Sequence, residues 1–129
     1  MVARVLPEVL GEMLEVLWFF PRVELWRRRL GFHESIAVAR ARGAGRRSRS
    51  RESRDRLRQL IGAIDRRLPD GGNCVRRAML EMSLDKGAAN ETLFAGISSR
   101  GGPKSGHAWL ASDDAPEQYD AVFSMAALI

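Results

Sequence analysis

Apolar residues near the N-terminus recur at three- and four-residue steps, which places them on one face of a helix. The positions in this stripe are Leu6, Val9, Leu10, Met13, Leu17 and Phe20. Pro21 is predicted to end or kink the helix, because its ring blocks the preceding turn. A second helical piece follows over residues 23–30 and is closed by Gly31, and residues 34–42 are predicted to form another short helix.

Residues 42–53 are rich in glycine, serine and arginine and have no apolar face, which predicts an exposed loop or a disordered linker. Ser53 is then a candidate N-cap for a further helix. The apolar face of that helix comprises Leu57, Leu60, Ile61, Ile64 and Leu68. The run Pro-Asp-Gly-Gly at 69–72 is a strong turn signal that ends it.

A fourth helical pattern begins after this turn, with Asn73 as the predicted N-cap and Cys74 in the first turn. Its buried side comprises Val75, Ala78, Met79, Met82 and Leu84. Gly87 is the predicted C-terminal stop of this helix.

The pattern then changes to three short segments rich in β-branched or aromatic residues, at 92–97, 106–111 and 120–123. The first two are expected to pair as a hairpin, and the third to lie beside the second. The chain is therefore predicted to be one α+β domain spanning residues 1–129. Its helical N-terminal half precedes a cysteine-bearing helix packed on a small antiparallel sheet.

The composition suits a globular domain, since the chain has 129 residues of which 45% are hydrophobic. Its one cysteine can form no internal disulfide and supplies no set of zinc ligands, which fits a reducing cytoplasm. Glu8, Glu12 and Glu15 interrupt the first apolar run, which argues against a membrane span, and the run lacks the marks of a signal peptide. A cytoplasmic protein without a cofactor or metal is therefore expected.

Arginine accounts for most of the formal charge of +5 and the pI near 10.6. Residues 42–67 contain ten arginines against three acids. Such a block suits an acidic partner, an acidic peptide or a nucleic-acid backbone, or else a solvated surface. No aromatic residues are interleaved with these arginines, so the stacking platform of a nucleic-acid-binding module is missing.

Three residues together could activate a thiol. Cys74 falls at a helix N-terminus, where unpaired N–H groups and the helix dipole favour the thiolate. His107, in the strand segment Gly-His-Ala-Trp-Leu, could act as its base. Residues 107, 109 and 111 should point to one face of their strand; if that face meets the cysteine helix, His107 reaches Cys74 and Trp109 shields the site from water. Asp120 is the preferred orienter of the imidazole, because it opens the strand expected beside that of His107.

Each of these residues also has a simpler interpretation. A lone cysteine is commonly a buried small hydrophobe, and an aspartate before a strand is commonly a cap. Asp113 and Asp114 are alternatives to Asp120, but they fall where a turn is predicted, and aspartate is common there. The backbone N–H of Cys74 is a candidate oxyanion donor, and the Asn73 side chain is either a second donor or a helix cap. The residues alone indicate a cysteine hydrolase or an acyltransferase, which share a thioester step.

Beyond residue 70, the chain resembles the transglutaminase-like leader peptidases of lasso-peptide biosynthesis, called the B proteins. The resemblance rests on Cys-Val-Arg-Arg-Ala-Met at 74–79 and Gly-His-Ala-Trp at 106–109, with a looser match at Ala-Gly-Ile, 95–97. The Arg-rich helical N-terminal half, with its Phe-Pro step at 20–21 and Arg-Arg-Leu-Pro at 66–69, is also similar.

This resemblance implies a papain-like or transglutaminase-like fold with Cys74 as nucleophile, His107 as base and Asp120 as orienter. It implies a protease that removes the N-terminal leader from a ribosomally made precursor, which frees the core amine for a separate ATP-dependent lasso cyclase.

In this family a winged-helix leader-binding domain is either fused at the N-terminus or encoded separately. The residues before Cys74 read as helices and an Arg-rich loop, so the stand-alone form with a separate leader-binding partner is expected. Residues 1–41 would then form the docking region, 42–53 a loop and 54–129 the protease core. Trp18, Phe19, Phe20 and Trp26, beside Arg27–Arg29, are the expected docking cluster.

Overall fold

A computed structural model describes residues 2–69, 71–98, 105–112 and 121–126. Its helices are α1 (Val2–Arg29), α2 (Phe32–Ala44), α3 (Arg51–Arg66), α4 (Cys74–Leu84) and the short α5 (Lys86–Ala89). Its strands are β1 (Leu93–Ser98), β2 (Ser105–Leu110) and β3 (Ala121–Met125). The three strands form one antiparallel sheet in the order β2-β1-β3. The predicted α+β class is confirmed.

Helix α1 runs through Pro21 without a break, so the predicted end at this residue is wrong, and residues 23–30 are not a separate helix. The reason is tertiary packing. Val16, Phe20 and Val23 are buried in one core on both sides of the proline, while Pro21 itself is exposed. Burial of an amphipathic face stabilises a helix more than local propensity does. None of the helices in the described ranges is long and apolar enough to cross a membrane.

The predicted loop over residues 42–53 is much shorter, because α2 continues to Ala44 and α3 begins at Arg51. The N-cap of α3 is Ser50 rather than Ser53: the Ser50 hydroxyl oxygen accepts a hydrogen bond from the Ser53 backbone N–H at 3.2 Å. Arg49 anchors the connection, since its backbone N–H donates to an Asp85 carboxylate oxygen at 2.9 Å. The segment is thus a fastened connection and not a disordered linker.

The predicted apolar face of α3 is confirmed. Leu57 and Ile61 are buried in the core, and Leu60, Ile64 and Leu68 pack against it. Gly87, however, does not stop α4. That helix ends at Leu84, and the Asp85 carboxylate then accepts a hydrogen bond from the Gly87 N–H at 3.1 Å, which caps α5. A side-chain cap can start a new helix where glycine alone would suggest an end.

The predicted hairpin is confirmed, with Gly96 opposite His107 and Leu93 opposite Leu110. Strand β3, however, pairs with β1 and not with β2, so the expected neighbour of the His107 strand is wrong. Leu93 on the central strand lies opposite both Leu110 and Met125. Leu93 and Leu110 are buried and Met125 packs on the core, so these three side chains lie side by side on the face of the sheet that meets the core.

Candidate active site

Cys74 is the first residue of α4, as predicted. The Asn73 side-chain oxygen accepts a hydrogen bond from the Arg76 backbone N–H at 3.0 Å, so Asn73 is the N-cap. Capping uses the side-chain oxygen and leaves the Asn73 amide NH2 as a candidate oxyanion donor beside the backbone N–H of Cys74. N–H groups in the first helical turn lack intrahelical partners, and together with the helix dipole they favour a thiolate at this position.

The Cys74 sulfur lies against the open edge of β2. The Ala108 backbone N–H donates a hydrogen bond to Sγ at 3.2 Å. Strand β2 is an edge strand, so a backbone group that points away from β1 is available to the cysteine helix. The sulfur is thereby held next to the amide that follows His107.

His107 and Trp109 lie on the same face of β2, opposite to the face that carries Ala108 and Leu110. Ala108 and Leu110 belong to the buried core, so strand alternation places His107 and Trp109 on the opposite side. The rings of His107 and Trp109 stack with centroids 5.9 Å apart, and Phe94 stacks on Trp109 at 5.8 Å. The sulfur meets β2 at its edge, and His107 and Trp109 line one cavity together with Cys74, Arg77 and Ala78 of α4.

Two cavities meet at these residues. Cys74, His107 and Ala108 line both of them. The first cavity, of about 310 Å³, is completed by Arg58, Ile61, Arg77, Ala78, Glu81 and Trp109. The second, of about 530 Å³, extends along β1 and the start of α4, past Phe32, Asn73, Val75, Gly96, Ile97 and Gly106 to Arg27 at the end of α1. An extended polypeptide could cross from one cavity to the other over the sulfur.

The first cavity contains a buried ion pair and an accessible cation. The Arg58 Nε donates to a Glu81 carboxylate oxygen at 2.7 Å, and the Arg54 Nε donates to the same oxygen at 3.0 Å. Burial nevertheless raises the pKa of Glu81, against the opposing effect of Arg58 and Arg54. The Arg77 side chain is 36% exposed. Its Nε lies 3.8 Å from an Asp65 carboxylate oxygen, so this partly exposed cation of the cavity is also an ion-pair partner of the buried Asp65.

A buried ionic cluster behind Cys74 was missed from the sequence. Asp65, near the end of α3, and Arg76, in the first turn of α4, are both fully buried and form an ion pair. The signal for Asp65 is its place four residues after Ile61 on the buried face of α3, where an acid requires a partner.

The third member of the predicted triad cannot be placed. Asp120 and its alternatives Asp113 and Asp114 all lie outside the described residues. The strand that follows Asp120 is separated from β2 by β1. Within the described ranges, no three His, Cys, Asp or Glu side chains are grouped so that they could hold a metal ion.

A family model of the transglutaminase-like superfamily matches residues 17–125. The chain belongs to this superfamily. The match extends from within α1 to the end of β3, and so includes the cysteine helix and the whole sheet. No curated protein and no solved structure gives a significant match. A transglutaminase-like domain supports activity of the cysteine protease or acyltransferase type, in agreement with the thiol and imidazole that line the same cavities.

Proposed function

We propose that this transglutaminase-like protein is a cysteine peptidase that removes the N-terminal leader from a ribosomally synthesised lasso-peptide precursor. One observation carries the proposal: a thiol at a helix N-terminus accepts a hydrogen bond from the amide that follows His107 and lies, with His107, where two cavities meet. The segments around Cys74 and His107, which resemble those of the leader peptidases, supply the choice of substrate.

In the proposed reaction, His107 removes the proton from the Cys74 thiol as Sγ attacks the carbonyl carbon at the end of the leader. The Cys74 N–H stabilises the oxyanion. His107 then protonates the departing amine of the core peptide, which leaves the leader as a thioester. Water, deprotonated by His107, hydrolyses the thioester, and the thiol is regenerated. Asp120 is proposed to accept the second imidazole N–H and so to orient the ring.

The proposal includes a separate winged-helix leader-binding protein, which would dock on α1, and a cyclase that acts on the product. The expected aromatic cluster on α1 is only partly available, because Phe20 is buried and Phe19 and Trp26 pack against the core. The apolar side chains that α1 does expose follow a helical stripe: Leu10, Met13, Leu14, Leu17, Trp18 and Leu25. We call these residues the α1 stripe. Arg27, beyond its C-terminal end, lines the second cavity, so a protein docked on the stripe would lie close to Cys74.

Several arginines of residues 42–67 form ion pairs within the fold, which weakens the alternative of a nucleic-acid-binding module. Arg46 pairs with Glu15, Arg49 with Glu12, and both Arg54 and Arg58 with Glu81. These four side chains stabilise contacts within the fold, so their charges are not directed at the phosphates of a nucleic acid. An acyltransferase acting on another substrate remains the second candidate, because it would form the same thioester and differ only in the nucleophile that resolves it.

The test is incubation of the purified protein with the precursor and the leader-binding protein encoded beside its gene, followed by mass spectrometry. We expect free leader and free core peptide. Cys74→Ala and His107→Ala should each lower the rate by roughly 10³-fold or more. His33→Ala is the matched control, because this second histidine is exposed on α2 and does not line either cavity at Cys74.

Full cleavage by the Cys74→Ala protein would end the proposal. A leader that carries an added amine instead of a free carboxylate would favour the acyltransferase. Absence of cleavage by the wild-type protein with both partners present would reject leader removal as its function.

A further inference from the structure

The ionic cluster behind Cys74 has no part in the chemistry proposed above, yet it touches the turn that leads to the nucleophile. We call Asp65, Arg76, Glu24 and the backbone of Gly72 the turn clamp. Asp65 and Arg76 are 0% exposed. Burying two charges is expensive, and an apolar pair of similar size is often as stable or more so. A contribution to stability is therefore a weak explanation for the presence of this buried ion pair.

The clamp holds the turn directly. One Asp65 carboxylate oxygen accepts a hydrogen bond from the Gly72 backbone N–H at 2.8 Å. The other accepts from the Arg76 Nε, also at 2.8 Å. The same carboxylate is thus bonded to the chain two residues before and two residues after Cys74. Its two oxygens fix the nucleophile from both sides.

The two glycines of the turn, Gly71 and Gly72, allow a backbone conformation and a close packing that other residues would disturb. Gly72 has φ +83°, a conformation that side-chain-bearing residues rarely adopt. A Cβ atom at Gly71 would lie 2.7 Å from the Asp65 carbonyl oxygen, so this backbone is pressed against the end of α3. On the far side of Arg76, its Nη1 donates to a Glu24 carboxylate oxygen at 3.1 Å, which ties the clamp to α1. Here Arg27 and Arg76 outweigh the effect of burial and lower the pKa of Glu24, so it is a carboxylate at neutral pH.

We propose that Asp65 is a positioning residue for Cys74: its carboxylate fixes the turn so that Sγ stays against the Ala108 N–H and beside His107. The catalytic part of this inference rests on the proposed function, and the geometric part does not. Loosening the clamp lets Cys74 move away from the β2 edge, and a misplacement of 1 Å at a reacting group can cost about 100-fold in rate.

The experiment measures the rate at which iodoacetamide alkylates Cys74, the only cysteine of the chain, together with the thermal melting of each variant. Asp65→Asn removes the charge and one hydrogen-bond acceptor with little change in shape. We expect alkylation roughly 10-fold slower or more, and kcat for leader removal lowered 10- to 100-fold at an unchanged KM. Leu57→Ala is the matched control, since this residue is fully buried on the same face of α3 two turns earlier. It should lower the melting temperature and leave the alkylation rate unchanged.

A second variant separates positioning from stability if Asp65→Asn does not fold. Asp65→Leu combined with Arg76→Met replaces the ion pair with an apolar pair and leaves the Gly72 N–H without its acceptor. This protein should fold and still alkylate slowly. Wild-type alkylation in either folded clamp variant, or equal slowing in Leu57→Ala, would overturn the proposal. Alkylation needs no peptide substrate, so this result stands even if the wild-type protein removes no leader.

Discussion

Helices α2 and α4 approach each other closely at Gly43, and this contact yields a sharp test of the fold that supports Cys74. Gly43 is buried. A Cβ atom there would collide with the Met82 carbonyl oxygen and would lie 2.8 Å from the Ala89 Cβ. These are a backbone atom and a Cβ, neither of which can rotate away. Gly43→Ala therefore forces α2 to separate from the helix that carries Cys74.

The expected loss follows from two opposing effects. Alanine favours a helix over glycine by about 1 kcal/mol. Overpacking a tight core contact costs about 1–3 kcal/mol and occasionally more. Because the collision here is with backbone, the upper part of that range or more applies, and we expect a net loss of about 1–3 kcal/mol in the free energy of unfolding. For a chain of this size that corresponds to a melting temperature lower by roughly 4–12 °C.

Gly62→Ala makes the same substitution in the middle of α3 and is the matched control. Its added Cβ would meet only the Arg66 Nη1 at 3.3 Å, the far end of a flexible side chain. This variant should gain about 0.5–1 kcal/mol. Urea denaturation of the two variants should therefore show midpoints displaced in opposite directions. A Gly43→Ala protein as stable as the wild type would refute the close approach of α2 and α4.

Two further predictions concern the first cavity and the α1 stripe. Burial raises the pKa of Glu81, so between pH 4.5 and its folded pKa the native protein retains a proton that the unfolded chain releases. The stability of the wild type relative to Glu81→Gln should fall as pH rises through this window and stay constant above it; parallel melting curves across the window would contradict this. On α1, Leu14→Glu should weaken binding of the proposed leader-binding protein by about 10-fold or more in calorimetric titration, whereas Arg51→Ala on the exposed surface of α3 should not. Equal affinities for the two variants would remove the α1 stripe as the docking surface.

The start of α4 could be predicted from the sequence because its signals are local. An asparagine cap, a cysteine at the first helical position and a preceding glycine turn all lie within a few residues of one another. The predictions at Pro21 and Gly87 were wrong because local signals can be overridden by the rest of the structure. Each is a local breaker, overridden at Pro21 by burial on both sides of it and at Gly87 by the Asp85 cap.

The arrangement around the nucleophile could be predicted only in part. Residue type and the predicted elements indicate His107 and Cys74 as candidates. They do not predict that the sulfur contacts β2 at its edge. That geometry depends on the strand order, which no local pattern encodes. Asp65 was visible as an acid on an apolar face, yet its partner Arg76 is eleven residues away and belongs to another helix.

The basic composition has an architectural explanation that bears on how partners are recognised. Arg49 bonds to Glu12 at 2.8 Å and to the Leu84 carbonyl oxygen at 3.0 Å, and so joins α1 to the end of α4. Arg40 donates to the carbonyl oxygens of Glu91 and Met125, each at 2.8 Å, and so fastens α2 to the end of the sheet where β1 begins and β3 ends. The guanidinium groups of Arg40 and Arg49 are occupied by these internal bonds and are not available to a partner. The α1 stripe is followed by Arg28, whose side chain is 72% exposed. A partner that combines an apolar surface with an acidic border would match this end of α1, and that surface leads through Arg27 to the second cavity at Cys74.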